Sequence, residues 1–207
     1  MSQEITKRIL SSIIIMASAL FFIIKGSFFY IFFLLVFFFI TIYEWYKMTK
    51  NKNYFIIGLN FFTLSFFSAF LLRNIFLLDF ILVILICISS DIGGYIFGKI
   101  FKGPKLTKIS PNKTFSGMIG SFFLSITSAL LYTEYYNLVY WTGDILLIAV
   151  ILISSFSQIG DLTVSYFKRK SKIKNTGKII PGHGGLLDRI DGMLFAIPFA
   201  FILFKFL

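Results

Sequence analysis

The chain has 207 residues, of which 57% are apolar and 29 are Phe, and its mean hydropathy is +0.88. So much apolar surface excludes an ordinary soluble domain and makes lipid the solvent for most of the chain. A net charge of +11 would suggest nucleic acid in a soluble protein, but here the basic residues stand between apolar runs. That arrangement favours membrane topology and phosphate-bearing substrates, with no nucleic-acid partner.

Seven apolar stretches follow in order: 9–24, 27–43, 54–72, 75–90, 115–133, 144–160 and 190–207. They predict an all-α, polytopic membrane bundle of about seven spans, folded as a single integral membrane domain over 1–207. Residues 1–90 supply N-terminal helices, and 91–207 a catalytic part with cytoplasmic loops at 98–114 and 161–190. Several stretches are shorter than the ~20 residues an untilted crossing needs, which leaves a re-entrant piece open. The first stretch has no small-residue cleavage site and is followed at once by the second, so it reads as a retained helix. Cys87 is the single cysteine and lies in an apolar run, which leaves no disulfide or Cys-based metal site.

Basic residues set the orientation. Of the 20 Lys and Arg, 17 flank one side of the spans and three, Lys25, Arg73 and Lys205, flank the other. The positive-inside rule then puts the N-terminus and both long polar loops in the cytoplasm. Lys47, Lys50 and Lys52 read as topology alone.

Asp91 closes the fourth stretch and leads through Gly93-Gly94-Tyr95 and Gly98-Lys99 to Ser110-Pro111, Lys113 and Thr114. The last four resemble a helix start with phosphate-directed donors; a plain capped loop is the blander account. Asp161 closes the sixth stretch, with Ser165 and Lys168 at i+4 and i+7. On a continued helix these three share a face and could meet a metal ion and phosphate oxygens. The blander account pairs Asp161 with Lys168.

The most polar stretch, Ser165 to Asp191, holds five Lys, two Arg, two Asp, the only His and four Gly. Pro181-Gly182-His183-Gly184-Gly185 reads as a tight turn whose backbone N–H groups could cradle phosphate. His183 fits a hydrogen-bonded structural role equally well. Asp188 and Asp191 share a helical face at the mouth of the last span, and Arg189 could simply neutralise one of them. With Asp161 they form a carboxylate set suited to Mg²⁺, which takes one or two carboxylates plus substrate phosphates.

Ser165-x-x-Lys168-Arg169, then Lys174-x-x-Gly177-x-x-Ile180-Pro181-x-His183-Gly184-Gly185-Leu186-x-Asp188-Arg189-Ile190-Asp191, resembles the phosphatidate cytidylyltransferase pattern. Upstream, Glu44-Trp45, Asp91, Gly98-Lys99 and Ser110-Pro111-x-Lys113-Thr114 resemble the same family in order. Three features depart from it. Asn175 stands where the family has Asp, Phe115-Ser116 where it has Trp-Glu, and the region from Trp45 to Asp91 is short for its helices. An amide keeps an oxygen acceptor without the charge, so Asn175 is expected to position its loop by hydrogen bonding.

The resemblance implies transfer of a cytidylyl group from CTP to phosphatidate, giving CDP-diacylglycerol and pyrophosphate. The abundance of Lys, Ile, Phe and Asn hints at an AT-rich genome and so at the cytoplasmic membrane of a bacterium. The resemblance also implies Mg²⁺ as cofactor on Asp161, Asp188 and Asp191. Catalytic roles fall to Asp161, Ser165, Lys168, His183 and Asp188. Substrate contacts fall to Asp91, Lys113, Arg169, Lys174, Gly182, Gly184, Gly185 and Arg189. CTP, phosphatidate and membrane lipid are the expected partners, and a homodimer is left open. A CTP-dependent polyprenol or phytol kinase is the nearest alternative. A cation-coupled transporter built on Asp79, Asp91 and Asp161 is the more distant one, and of these acids it has only Asp79 well inside a span.

Overall fold

The computed structural model of the chain describes residues 2–50, 52–107, 109–177, 179 and 184–206, with side chains from residue 14 onward. They form seven helices: α1 (Ser2–Lys25), α2 (Ser27–Thr49), α3 (Tyr54–Ile75), α4 (Leu77–Phe101), α5 (Phe115–Tyr135), α6 (Gly143–Lys170) and α7 (Leu187–Phe206). No strand is present among the described residues, and Lys105 meets Thr114 in an isolated antiparallel bridge. The all-α expectation holds because a backbone in hydrocarbon must satisfy its own N–H and C=O groups, which a helix does locally. Five helices, α2 to α6, are long and apolar enough to cross a membrane. The chain is therefore a multi-pass membrane protein by length and composition.

Each helix runs beyond its predicted stretch at one end at least, α4 and α6 the furthest. α4 continues to Phe101 and α6 to Lys170, so Asp91 lies inside α4 instead of ending it. The loop expected at 161–190 likewise opens with helix. Polarity ends an apolar run but does not end a helix, and Lys and Arg are good helix formers.

The chain divides into two compact units. One comprises residues up to Phe70 with Phe167–Ile190; the other comprises Leu71–Tyr166 with the residues from Asp191 on. In the first unit, α1 turns into α2 at Gly26, whose φ of 67° favours glycine. Tyr30 Oη donates to the Ala69 carbonyl (2.9 Å), tying α2 to α3. Trp45 is 3% exposed; it packs edge-on against Phe62 and Phe167 and donates from Nε1 to the Phe55 carbonyl. Gly58 faces that indole, where a side chain would collide with the ring.

In the second unit the polar small residues are packing devices. Ser121 donates to the Ser90 carbonyl (2.7 Å), Ser125 to the Ile86 carbonyl (3.1 Å), and Ser90 shares a bond with Ser154 (2.9 Å). A Cβ on Gly117 would stand 2.7 Å from the Gly94 carbonyl, and one on Gly94 would stand 2.8 Å from Ser121 Oγ. The glycines that follow Asp91 thus let α4 and α5 touch backbone to backbone. Lipid supplies no hydrophobic drive between helices, so close contact and interhelical hydrogen bonds must do the work. On α6 and α7, Phe156 stacks on Phe199 at 4.0 Å.

Asp79 does not lie at mid-span. It is the third residue of α4, where the positive helix end favours a carboxylate. Its Oδ1 accepts from Tyr140 Oη (2.7 Å) and Trp141 Nε1 (2.8 Å). Burial, and then the hydrogen bond to Asp79, push the Tyr140 phenol well above its usual range, which keeps it a donor. This latch gives Asp79, the acid that the transporter reading put well inside a span, a structural role. Asp79→Ala should lower stability by about 3 kcal/mol, because the buried Trp141 Nε1 and the Tyr140 hydroxyl lose a charged acceptor. Thermal unfolding in detergent micelles tests this, and an unchanged midpoint would refute the latch.

Candidate active site

α6 carries Asp161, Ser165 and Lys168 at the predicted i, i+4, i+7 spacing. Ser165 Oγ approaches Asp161 Oδ1 at 3.3 Å, as one helical turn requires. The partner of Asp161 is Lys113, whose Nζ lies 2.5 Å from Oδ2; the side chains are 25% (Lys113) and 32% (Asp161) exposed. Lys113 is held in place by a folded loop. Leu106 N–H donates to the Lys113 carbonyl (2.8 Å), and Lys113 N–H to the Ser110 carbonyl (3.0 Å). The helix start predicted around Ser110 lies further on, because Thr114 is the N-cap and its hydroxyl accepts from Gly117 N–H at 3.1 Å. Ser116, one of the departing residues, donates to the Lys102 carbonyl and shares a bond with Thr114.

The first unit holds a second cluster. Asp188 stands in the first turn of α7. Its Oδ1 accepts from Lys168 Nζ (2.9 Å), and the side chains are only 13% (Lys168) and 8% (Asp188) exposed. Its Oδ2 accepts from Thr176 N–H (2.8 Å) and Gly185 N–H (3.1 Å). The blander pairing of Asp161 with Lys168 therefore gives way to two separate pairs. Gly184 adopts a φ of 100°, and a side chain there would meet Asp188 and Asn175.

Glu44, on α2, is 1% exposed. Its Oε2 accepts from Thr176 Oγ1 (2.9 Å) and Leu187 N–H (2.8 Å), and its Oε1 from Leu186 N–H (3.0 Å). A Cβ on Gly177 or Gly185 would run into this carboxylate, which explains glycine at both positions without a ligand. Glu44 and Thr176 went unassigned in the sequence, although an acid in an apolar helix is a functional signal by default.

Asp91, Arg169, Lys174 and Arg189 are exposed. Asp191 is 7% exposed and accepts from Gly192 N–H at 2.9 Å. Gly182 and His183 lie outside the described residues. No cluster of three or more His, Cys, Asp or Glu side chains occurs among the described residues. Mg²⁺ does not require one, since substrate phosphates complete its shell. Asp161 keeps Oδ1 with only the long Ser165 contact and has room there for a hard cation, whereas Asp188 must exchange Lys168 or its two N–H donors for one.

A sequence model of the cytidylyltransferase family matches residues 54–207. A phosphatidate cytidylyltransferase of Staphylococcus aureus is 45% identical over 117 residues, 55% of this chain and 44% of that protein. Proteins of the same name from Staphylococcus haemolyticus and Staphylococcus saprophyticus are 44% and 43% identical over 117 residues. The chain thus spans less than half the length of these relatives in the matched region, 44% in each case. The family match takes in both paired carboxylates, both lysines and the loop around Asn175, and covers most of the chain: this protein belongs to the cytidylyltransferase family.

Proposed function

We propose that the protein transfers the cytidylyl group of CTP to phosphatidate at the cytoplasmic face of a bacterial membrane. An oxygen of the lipid phosphate bonds to the α-phosphorus of CTP, the bond to the bridging oxygen breaks, and pyrophosphate leaves. The observation that carries this reading is the family-matched segment with its two cation-bearing carboxylates, Asp161 on Lys113 and Asp188 on Lys168. In the finer topology, α1 and α7 complete seven crossings, with the N-terminus and both polar loops in the cytoplasm.

The lipid phosphate is already an anionic nucleophile, so no strong base is needed. The obstacle is repulsion between two polyanions. Divalent ions, one held at Asp161 and one at Asp188, would neutralise and align the phosphate under attack. Lys168, Arg169 and Lys174 offset triphosphate charge, and Ser165 donates to a phosphate oxygen. Lys113, Asp91 and Arg189 contact substrate, and Asp191 orients Arg189. Gly182 and Gly184 are assigned to phosphate and His183 to the reaction, whereas the Gly185 N–H is already taken by Asp188.

Isotope placement tests the reading. With purified protein, phosphatidate and CTP, label on the α-phosphate should enter lipid while label on the γ-phosphate leaves in pyrophosphate. Lipid carrying the γ label would replace this reading with phosphoryl transfer to a lipid alcohol.

A further inference from the structure

We infer that Glu44 is a positioning residue: from α2, outside the family-matched segment, its buried carboxylate fixes the start of α7 and thereby the pose of Asp188. This rests on the reading above, in which Asp188 acts on substrate.

The start of α7 lacks a local cap. Arg189 N–H and Ile190 N–H donate to the Leu186 carbonyl, which makes Leu186 the N-cap, and leucine has no side-chain acceptor. The first N–H groups of a helix need partners from elsewhere. Glu44 supplies them, taking Leu186 N–H on one oxygen and Leu187 N–H on the other. The positive helix end in turn favours the carboxylate that faces it.

Thr176 joins the two acids. Its hydroxyl donates to Glu44 and its backbone N–H to Asp188. Gly185, whose N–H also binds Asp188, leans on Glu44 so closely that no Cβ fits between them. Two of the three donors that orient Asp188 are thus held by Glu44 contacts, and the third is Lys168. A buried carboxylate is tolerated only when donors satisfy it, and here three do. The family-matched segment (54–207) is completed by a residue that precedes it.

The test uses Glu44→Gln, Thr176→Val and Thr176→Ser in the full chain, assayed below each variant's unfolding transition. Glu44→Gln keeps the shape but turns an amide NH₂ toward a backbone donor. Its kcat should fall at least about 30-fold with KM for CTP within about threefold, since Asp188 is misplaced while the nucleotide contacts remain. Thr176→Val should lose about tenfold in kcat, and Thr176→Ser, which keeps the hydroxyl, should stay within about twofold. Hydrogen exchange at Leu186 and Leu187 should rise about tenfold or more in Glu44→Gln.

A purely structural Glu44 would lower the unfolding temperature and leave kcat of the folded variants unchanged, which would overturn the inference. If Glu44→Gln does not fold, the threonine pair decides, and equal rates for Val and Ser would overturn it. A wild-type chain without cytidylyl transfer would sink the functional reading, and exchange at Leu186 and Leu187 would then judge the clamp separately.

Discussion

Asp188→Ala should silence the enzyme and weaken the fold at once. The rate should fall by about 10³-fold, roughly 4 kcal/mol of barrier, if Asp188 holds Mg²⁺ against the substrate phosphate. From the sequence alone this substitution would leave the fold nearly untouched. The structure argues otherwise. Lys168 is only 13% exposed and is paired with Asp188, while Thr176 N–H and Gly185 N–H share its other oxygen. Removing one partner strands a buried ammonium and two donors, at a cost of about 3 kcal/mol. Asp188→Asn keeps the volume and part of the acceptor capacity, so it should be equally inactive but closer to wild type in thermal unfolding. Turnover within tenfold of wild type in the asparagine variant would end the metal-ligand role.

Asp161→Ala should be as inactive as Asp188→Ala yet fold like the wild type. Asp161 and Lys113 are about a third and a quarter exposed, and such a pair contributes at most ~1 kcal/mol. Ser165 loses only a long contact of 3.3 Å. The loop carrying Lys113 is held by its own backbone bonds, so it should keep its shape. Rate and unfolding midpoint, measured on the same preparations, separate the two carboxylates: both lose activity, and only Asp188→Ala loses stability. Chelation with EDTA should silence the wild type without unfolding it. Activity that survives EDTA, or a near-normal rate in Asp161→Ala, would leave the carboxylates without a metal to bind.

The spacing of Asp161, Ser165 and Lys168 could be read directly because a helix converts sequence separation into direction. The partners of those residues could not. The i, i+7 spacing suggested that Asp161 pairs with Lys168, yet each takes a partner from a segment that folds back to it: Lys113 for Asp161 and Asp188 for Lys168. The turn at 181–185 reads as a backbone made open for phosphate, yet Gly185, like Gly177, admits the Glu44 carboxylate, while Gly94 and Gly117 admit a neighbouring helix.

What the sequence determines by itself follows from local physics. Hydropathy selects lipid as solvent, and in lipid each apolar run must close its own hydrogen bonds as a helix, so the seven helices and their order are legible, though not where each one ends. Tertiary structure decides where polar groups find partners. Glu44 meets Thr176 across 132 residues of sequence and Leu187 across 143. No local pattern encodes such a meeting, because it depends on which buried donors the folded helices leave unsatisfied.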